Sequence, residues 1–119
     1  MEKSGLLRGQ VYYAQLGSMA GCEQSGTRPV IIVQNNKGNR CSPTVVVVPI
    51  TSQHKPALPT HVILQNIPQL AHKSCVLTEQ IRTIDRSRLG TYLCQLPPEV
   101  MDRVDYAVAI CVGLVSKYN

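Results

Sequence analysis

Two unbroken apolar runs, residues 29–34 (PVIIVQ) and residues 44–50 (TVVVVPI), constrain this chain more than any other feature. Each is too short for a typical buried helix and rich in β-branched residues, so both read as buried strands. Pro29 biases Arg28 towards an extended conformation and sets that cation at the mouth of the first strand. Pro49 implies that the second strand meets a sheet edge or a bulge near its end.

The rest of the chain keeps to short strands. Residues 9–16 (GQVYYAQL) suit a first strand, and residues 61–64, 74–78, 80–84 and 91–95 suit later ones. Residues 35–39 (NNKGN) read as a turn, and residues 17–27 and 52–60 as polar loops, the first long enough to carry function. Only the C-terminal piece has helical periodicity: Pro97 and Pro98 mark its start, and Val100, Val104, Val108 and Cys111 share one face before Gly113. The expectation is an α+β fold, a strongly bent antiparallel sheet forming a small barrel with a terminal helix against it. One domain over residues 1–119 is the matching expectation.

Composition narrows the functional classes. With 44% hydrophobic and 16% charged residues the chain folds rather than staying disordered. No apolar run is long enough to span a membrane, and residues 1–10 are too polar for a secretory signal, so the expected location is cytoplasmic. The five cysteines are odd in number and widely spaced, which suits buried thiols. They form no CxxC pair, and His54, His61 and His72 lack short zinc spacing, so no metal and no cofactor is expected. Residues 1–60 hold six Lys or Arg against two Glu, whereas residues 61–119 hold six against five acids. The basic excess favours a polyanionic partner.

Two polar loops bring distinctive groups to strand mouths: Glu23, Gln24 and Arg28 from one, Thr51, Gln53 and His54 from the other. A guanidinium offers fork-like donors to phosphate oxygens and a hydroxyl adds one more, which suits a phosphodiester gaining negative charge. The plainer alternative is an Arg paired with a carboxylate and a Thr capping a turn. Serine-hydrolase elbows, phosphate-cradling glycine loops and dinucleotide fingerprints are all missing from the sequence.

Four segments, residues 21–35 (GCEQSGTRPVIIVQN), 39–51 (NRCSPTVVVVPIT), 58–62 (LPTHV) and 78–89 (TEQIRTIDRSRL), resemble the MazF/PemK family of toxins from toxin–antitoxin pairs, in family order and spacing. The resemblance implies an SH3-like barrel of the PemK/CcdB kind, working as a homodimeric endoribonuclease on single-stranded RNA and neutralised by the acidic C-terminal segment of a MazE-like antitoxin. It places Arg28 and Thr51 on the family's catalytic pair, and Glu23, Gln24, Asn35, Gln53, Glu79, Gln80 and Arg82 on segments near the RNA groove. His54, three residues after Thr51, joins them as a candidate by its intrinsic titration range. The implied chemistry is metal-free attack by the 2′-hydroxyl on its neighbouring phosphorus. The alternative from the same fold is a CcdB-like inhibitor of DNA gyrase.

Overall fold

A computed structural model describes residues 5–17, 26–53, 56–71 and 73–116. Glu23, Gln24, His54, Cys22 and His72 lie outside the described residues. In chain order the elements are β1 (Gln10–Gln15), β2 (Thr27–Ile32), α1 (Asn36–Cys41), β3 (Thr44–Thr51), β4 (His61–Gln65), β5 (Lys73–Leu77), β6 (Arg82–Asp85), β7 (Leu89–Gln95) and α2 (Pro98–Cys111). A 3-10 turn, Thr78–Gln80, joins β5 to β6.

The seven strands pair antiparallel in the order β4-β5-β3-β2-β1-β7, with β6 attached to β3. No pairing joins β4 to β7 among the described residues, so the expected barrel is a bent sheet not closed into a full one. The apolar runs explain the arrangement. Alternate residues of β2 and β3 enter opposite cores: Val30, Ile32, Val45 and Val47 one, Ile31, Val48 and Ile50 the other. A strand buried on both faces needs no polar positions, hence the unbroken runs.

The helix α2 covers the second of these cores, and its fully buried residues are Met101, Val104, Ala107 and Ile110. The stripe expected from Val100, Val104, Val108 and Cys111 is therefore turned: Val100 and Val108 pack at its margin. The small side chain of Ala107 lets the Thr78–Gln80 turn come close, and the Thr78 hydroxyl lies 3.3 Å from the Ala107 carbonyl. Gly113, at φ 83°, ends the helix. The Leu114 N–H returns to the Ala109 carbonyl and the Gly113 N–H to that of Ile110, the bonding of a left-handed glycine cap.

Two further expectations change. Residues 35–39 do not form a simple turn but open α1, with the Asn35 side chain accepting from the Gly38 N–H at 2.9 Å. Pro49 is not on a sheet edge; it pairs with Val30 in mid-sheet. It does fall between the last β3–β6 pair, at Val47, and the first β3–β5 pair, at Ile50, so its missing N–H coincides with a change of partner. Among the described cysteines Cys75 and Cys94 are buried thiols, Cys111 is half-buried and Cys41 is exposed. No described helix is long and apolar enough to cross a membrane.

Candidate active site

The change of partner along β3 builds the site. The pairing of β2 with β3 ends at Val30 and Pro49. Carried two residues further, that register would bring Arg28 level with Thr51, but there the strands have parted. Arg28 stays paired with Ala14 of β1, and Thr51 pairs with Cys75 of β5. A fork of this kind leaves room that a continuous ladder would fill.

A cleft of about 250 Å³ occupies the fork. Thr27, Arg28 and Pro29 form one wall and Ile50 and Ser52 the other, with Gln69, Leu70 and Ala71 of the β4–β5 connection and Ser74 of β5 closing it. Tyr13 also lines it and is 40% exposed, which offers an aromatic face to a base. Sequence reasoning missed Tyr13. The available signal was strand alternation, which sends it to the face opposite its buried neighbour Ala14.

A second cavity, of about 370 Å³, adjoins the cleft across the shared residues Ser52 and Ser74. Gln53, Lys73 and His61 supply its polar groups, while Pro56, Ala57, Leu58 and Ile63 supply apolar wall. The adjoining cavities together make a groove whose lining holds a guanidinium, an ammonium and an amide. Such a lining suits a phosphate chain with bases attached.

Thr51 behaves differently from Arg28. It is 1% exposed and does not line the cleft, although its neighbours Ile50 and Ser52 do. Its hydroxyl oxygen accepts from the Gln53 N–H at 3.1 Å, a local turn that directs Ser52 and Gln53 towards the groove.

The remaining candidates separate. Gln53 reaches the groove. Asn35 does not; it caps α1 beyond the end of β2 opposite to Arg28. Glu79 is engaged within the protein, its carboxylate accepting from the Thr60 hydroxyl at 3.0 Å and facing His61 Nε2 at 2.8 Å. Gln80 is half-buried in the 3-10 turn, and Arg82 is half-buried on β6 opposite Val47.

Titration is shifted elsewhere. The Ser87 backbone N–H, then its hydroxyl, hold the Asp85 carboxyl below the usual range. Burial raises Tyr12, Cys94 and Cys111. None of these four lines either cavity, so they provide no general base there. Among the described residues no group of three or more His, Cys, Asp or Glu is placed to hold a metal ion.

Comparison with known proteins adds the chemistry. The family model described as PemK-like, MazF-like toxin of type II toxin–antitoxin systems matches residues 7–112. Endoribonuclease EndoA of Bacillus subtilis (strain 168) is 46% identical over 111 residues, covering 92% of this chain and 96% of that protein. A mycobacterial endoribonuclease solved in complex with its cognate antitoxin superposes with a TM-score of 0.79 at 33% identity, covering 95% of this chain and 100% of the other. MazF from Deinococcus radiodurans reaches the same TM-score at 26% identity, over 91% of this chain and 96% of its own.

Proposed function

The chain belongs to the PemK-like, MazF-like toxins of type II toxin–antitoxin systems, and from that premise we propose how the fork between β2 and β3 cuts RNA. The protein is an endoribonuclease toxin. Its substrate is single-stranded RNA, cut at preferred sequences by one domain spanning residues 1–119.

The reaction is an internal transesterification. The 2′-hydroxyl passes its proton to solvent water, which in turn restores the donor at the leaving oxygen, and the 2′-oxygen bonds to the adjacent phosphorus. The bond from phosphorus to the 5′-oxygen breaks, and that oxygen takes up a proton. The products are a 2′,3′-cyclic phosphate, which water can open to a 3′-phosphate, and a 5′-hydroxyl. Nucleophile and electrophile lie in one substrate, so no metal-activated water is required; the protein imposes in-line geometry and stabilises charge.

The observation that carries this reading is Arg28 on the wall of the fork cleft. Its planar donors suit the phosphate oxygens as charge builds on them. A guanidinium carries N–H donors and no acceptor, so Arg28 serves as charge stabiliser and proton donor to the leaving oxygen, and not as base. Thr51 is the second catalytic donor: its oxygen accepts from Gln53, which leaves its own O–H to give. At 1% exposure that hydrogen meets RNA only once the fork widens around the substrate. Tyr13 and Gln53 contact bases, with Gln80 and Arg82 further along the bound strand. Asn35 and Glu79 leave the list of RNA contacts for structural work.

The working unit is a cytoplasmic homodimer. An acidic antitoxin segment inhibits it by satisfying the donors that otherwise bind phosphates. The mycobacterial endoribonuclease with its antitoxin, and MazE–MazF from Deinococcus radiodurans at a TM-score of 0.74 and 25% identity, support that partner. The endoribonuclease relatives favour RNA cleavage over gyrase inhibition.

Incubating the purified protein with a long mixed-sequence RNA in excess EDTA tests the reading. Discrete fragments with 5′-hydroxyl and cyclic-phosphate ends are expected, and a 2′-deoxy substitution at the cut site abolishes them. Cleavage that stops in EDTA and returns with magnesium would overturn the metal-free chemistry.

A further inference from the structure

We infer that His61 is a positioning residue for the RNA groove: its ring clamps the Pro56 carbonyl to the Glu79 carboxylate, and it releases one of them on losing a proton. The inference rests on the endoribonuclease reading above, because it assigns the 370 Å³ cavity to bound RNA.

The geometry is specific. Nδ1 of His61 lies 2.8 Å from the Pro56 carbonyl oxygen, and Nε2 lies 2.8 Å from Glu79 Oε2. A carbonyl oxygen and a carboxylate both only accept, so a ring with N–H on both nitrogens satisfies both contacts. A neutral ring must set a lone pair against one of the two oxygens. The ring itself is 6% exposed, while its partners Pro56 and Glu79 lie at the surface.

Glu79 is the fixed end of the clamp. Its other oxygen takes the Thr60 hydroxyl at 3.0 Å, and Thr78 ties the same turn to the Thr60 carbonyl through its N–H at 3.1 Å and its hydroxyl at 2.7 Å. Pro56 is the other end. It begins the stretch through Leu58 that walls the cavity beside Gln53, and His61 holds that stretch twice, by its ring and by its N–H to the Leu58 carbonyl at 2.9 Å. Protonated His61 therefore keeps the wall in place for RNA, and neutral His61 lets it slacken. Arg28 stands on the adjoining cleft and is untouched by this.

The charged and titratable groups bordering His61 are Lys73 and Cys75 from β5, and Asp102, Arg103 and Tyr106 from α2. The Cys111 thiol, near Glu79, is pushed up by burial first and by that carboxylate second. Histidine is the side-chain type that changes charge between about pH 5 and pH 8.

The test measures kcat and KM for an RNA oligonucleotide over that span in wild type, Glu79→Gln and His61→Gln. Wild-type KM should rise about threefold to tenfold with pH, the scale of one hydrogen bond. Glu79→Gln should keep KM level, because its amide can donate to the neutral ring, and His61→Gln should show a high, level KM. If His61→Gln does not fold, the contrast between wild type and Glu79→Gln decides. Amide exchange at Ala57 and Leu58, corrected for intrinsic rates, should speed up with pH in wild type and not in Glu79→Gln, whether or not RNA is cut. Equal pH dependence of KM or of exchange in those two proteins overturns the clamp. A wild type that shows the exchange contrast yet never cleaves RNA overturns the endoribonuclease reading and leaves the clamp standing.

Discussion

Beyond Ile32, the chain leaving β2 consumes its polar side chains in holding the fold, whereas at Arg28 the sheet divides and side chains line a cleft. Asn35 caps α1, and the fully buried Asn39 donates to the Gln34 carbonyl at 3.0 Å and to Asn36 Oδ1 at 3.1 Å while accepting from Gln34 at 3.2 Å. Arg86 donates to the Asn39 carbonyl, and Arg8 grips Asp105 with both terminal nitrogens. At the fork, Arg28 faces a cleft, and Thr51 spends its oxygen on one local turn. One strand can thus be anchored at one end and chemically useful at the other, because a buried polar group contributes stability only when its partners lie inside the protein.

Substitutions should separate the two ends. Thr51→Val keeps the branched shape and deletes the hydroxyl, and we expect turnover to fall about a hundredfold, the scale for one preorganised donor. Thr51→Ser should retain most of it. A Thr51→Val protein with normal turnover and full stability would break the contrast at the fork.

At the anchored end, Asn39→Ala removes a side chain with 0% exposure and strands its partners. A loss of about 2 kcal/mol in urea unfolding is expected, with RNA cleavage per folded molecule unchanged. Asn35→Ala should lose about 1 kcal/mol, the value of an N-cap, again without moving KM for RNA. A raised KM would return Asn35 to the RNA groove. The smallest effect belongs to Asp85. Its carboxyl is held below the usual range, so its contribution is complete above the unfolded value, near pH 3.9, and is lost as pH falls through the lower folded value. Wild type should therefore lose slightly more thermal stability on acidification towards about pH 3 than Asp85→Asn, whose side chain still accepts from Ser87 without titrating.

Much of this was legible in the sequence, for local reasons. The β-branched runs that make β2 and β3 carry their own signal, and the two prolines announce α2. The short helix α1 was not legible, because Asn, Gly and Lys in a row read as a turn until Asn35 and Asn39 find their partners. The stripe on α2 is turned by a contact with Thr78, 29 residues away from Ala107. The site follows the same rule. Arg28 stands out as a cation before a proline-led strand, but the fork depends on β3 exchanging β6 for β5, a non-local pairing. The engagement of Glu79 by His61 spans 18 residues and was equally hidden.

Single-turnover cleavage by Arg28→Ala, measured beside its melting temperature, tests most directly whether the fork is the catalytic centre. A rate lower by about a hundredfold or more is expected, with little change in stability. Arg28→Lys should bind RNA yet restore little of the rate, since a point charge lacks the planar fork. A folded Arg28→Ala protein that cuts RNA at the wild-type rate would contradict the assignment and move the active site elsewhere.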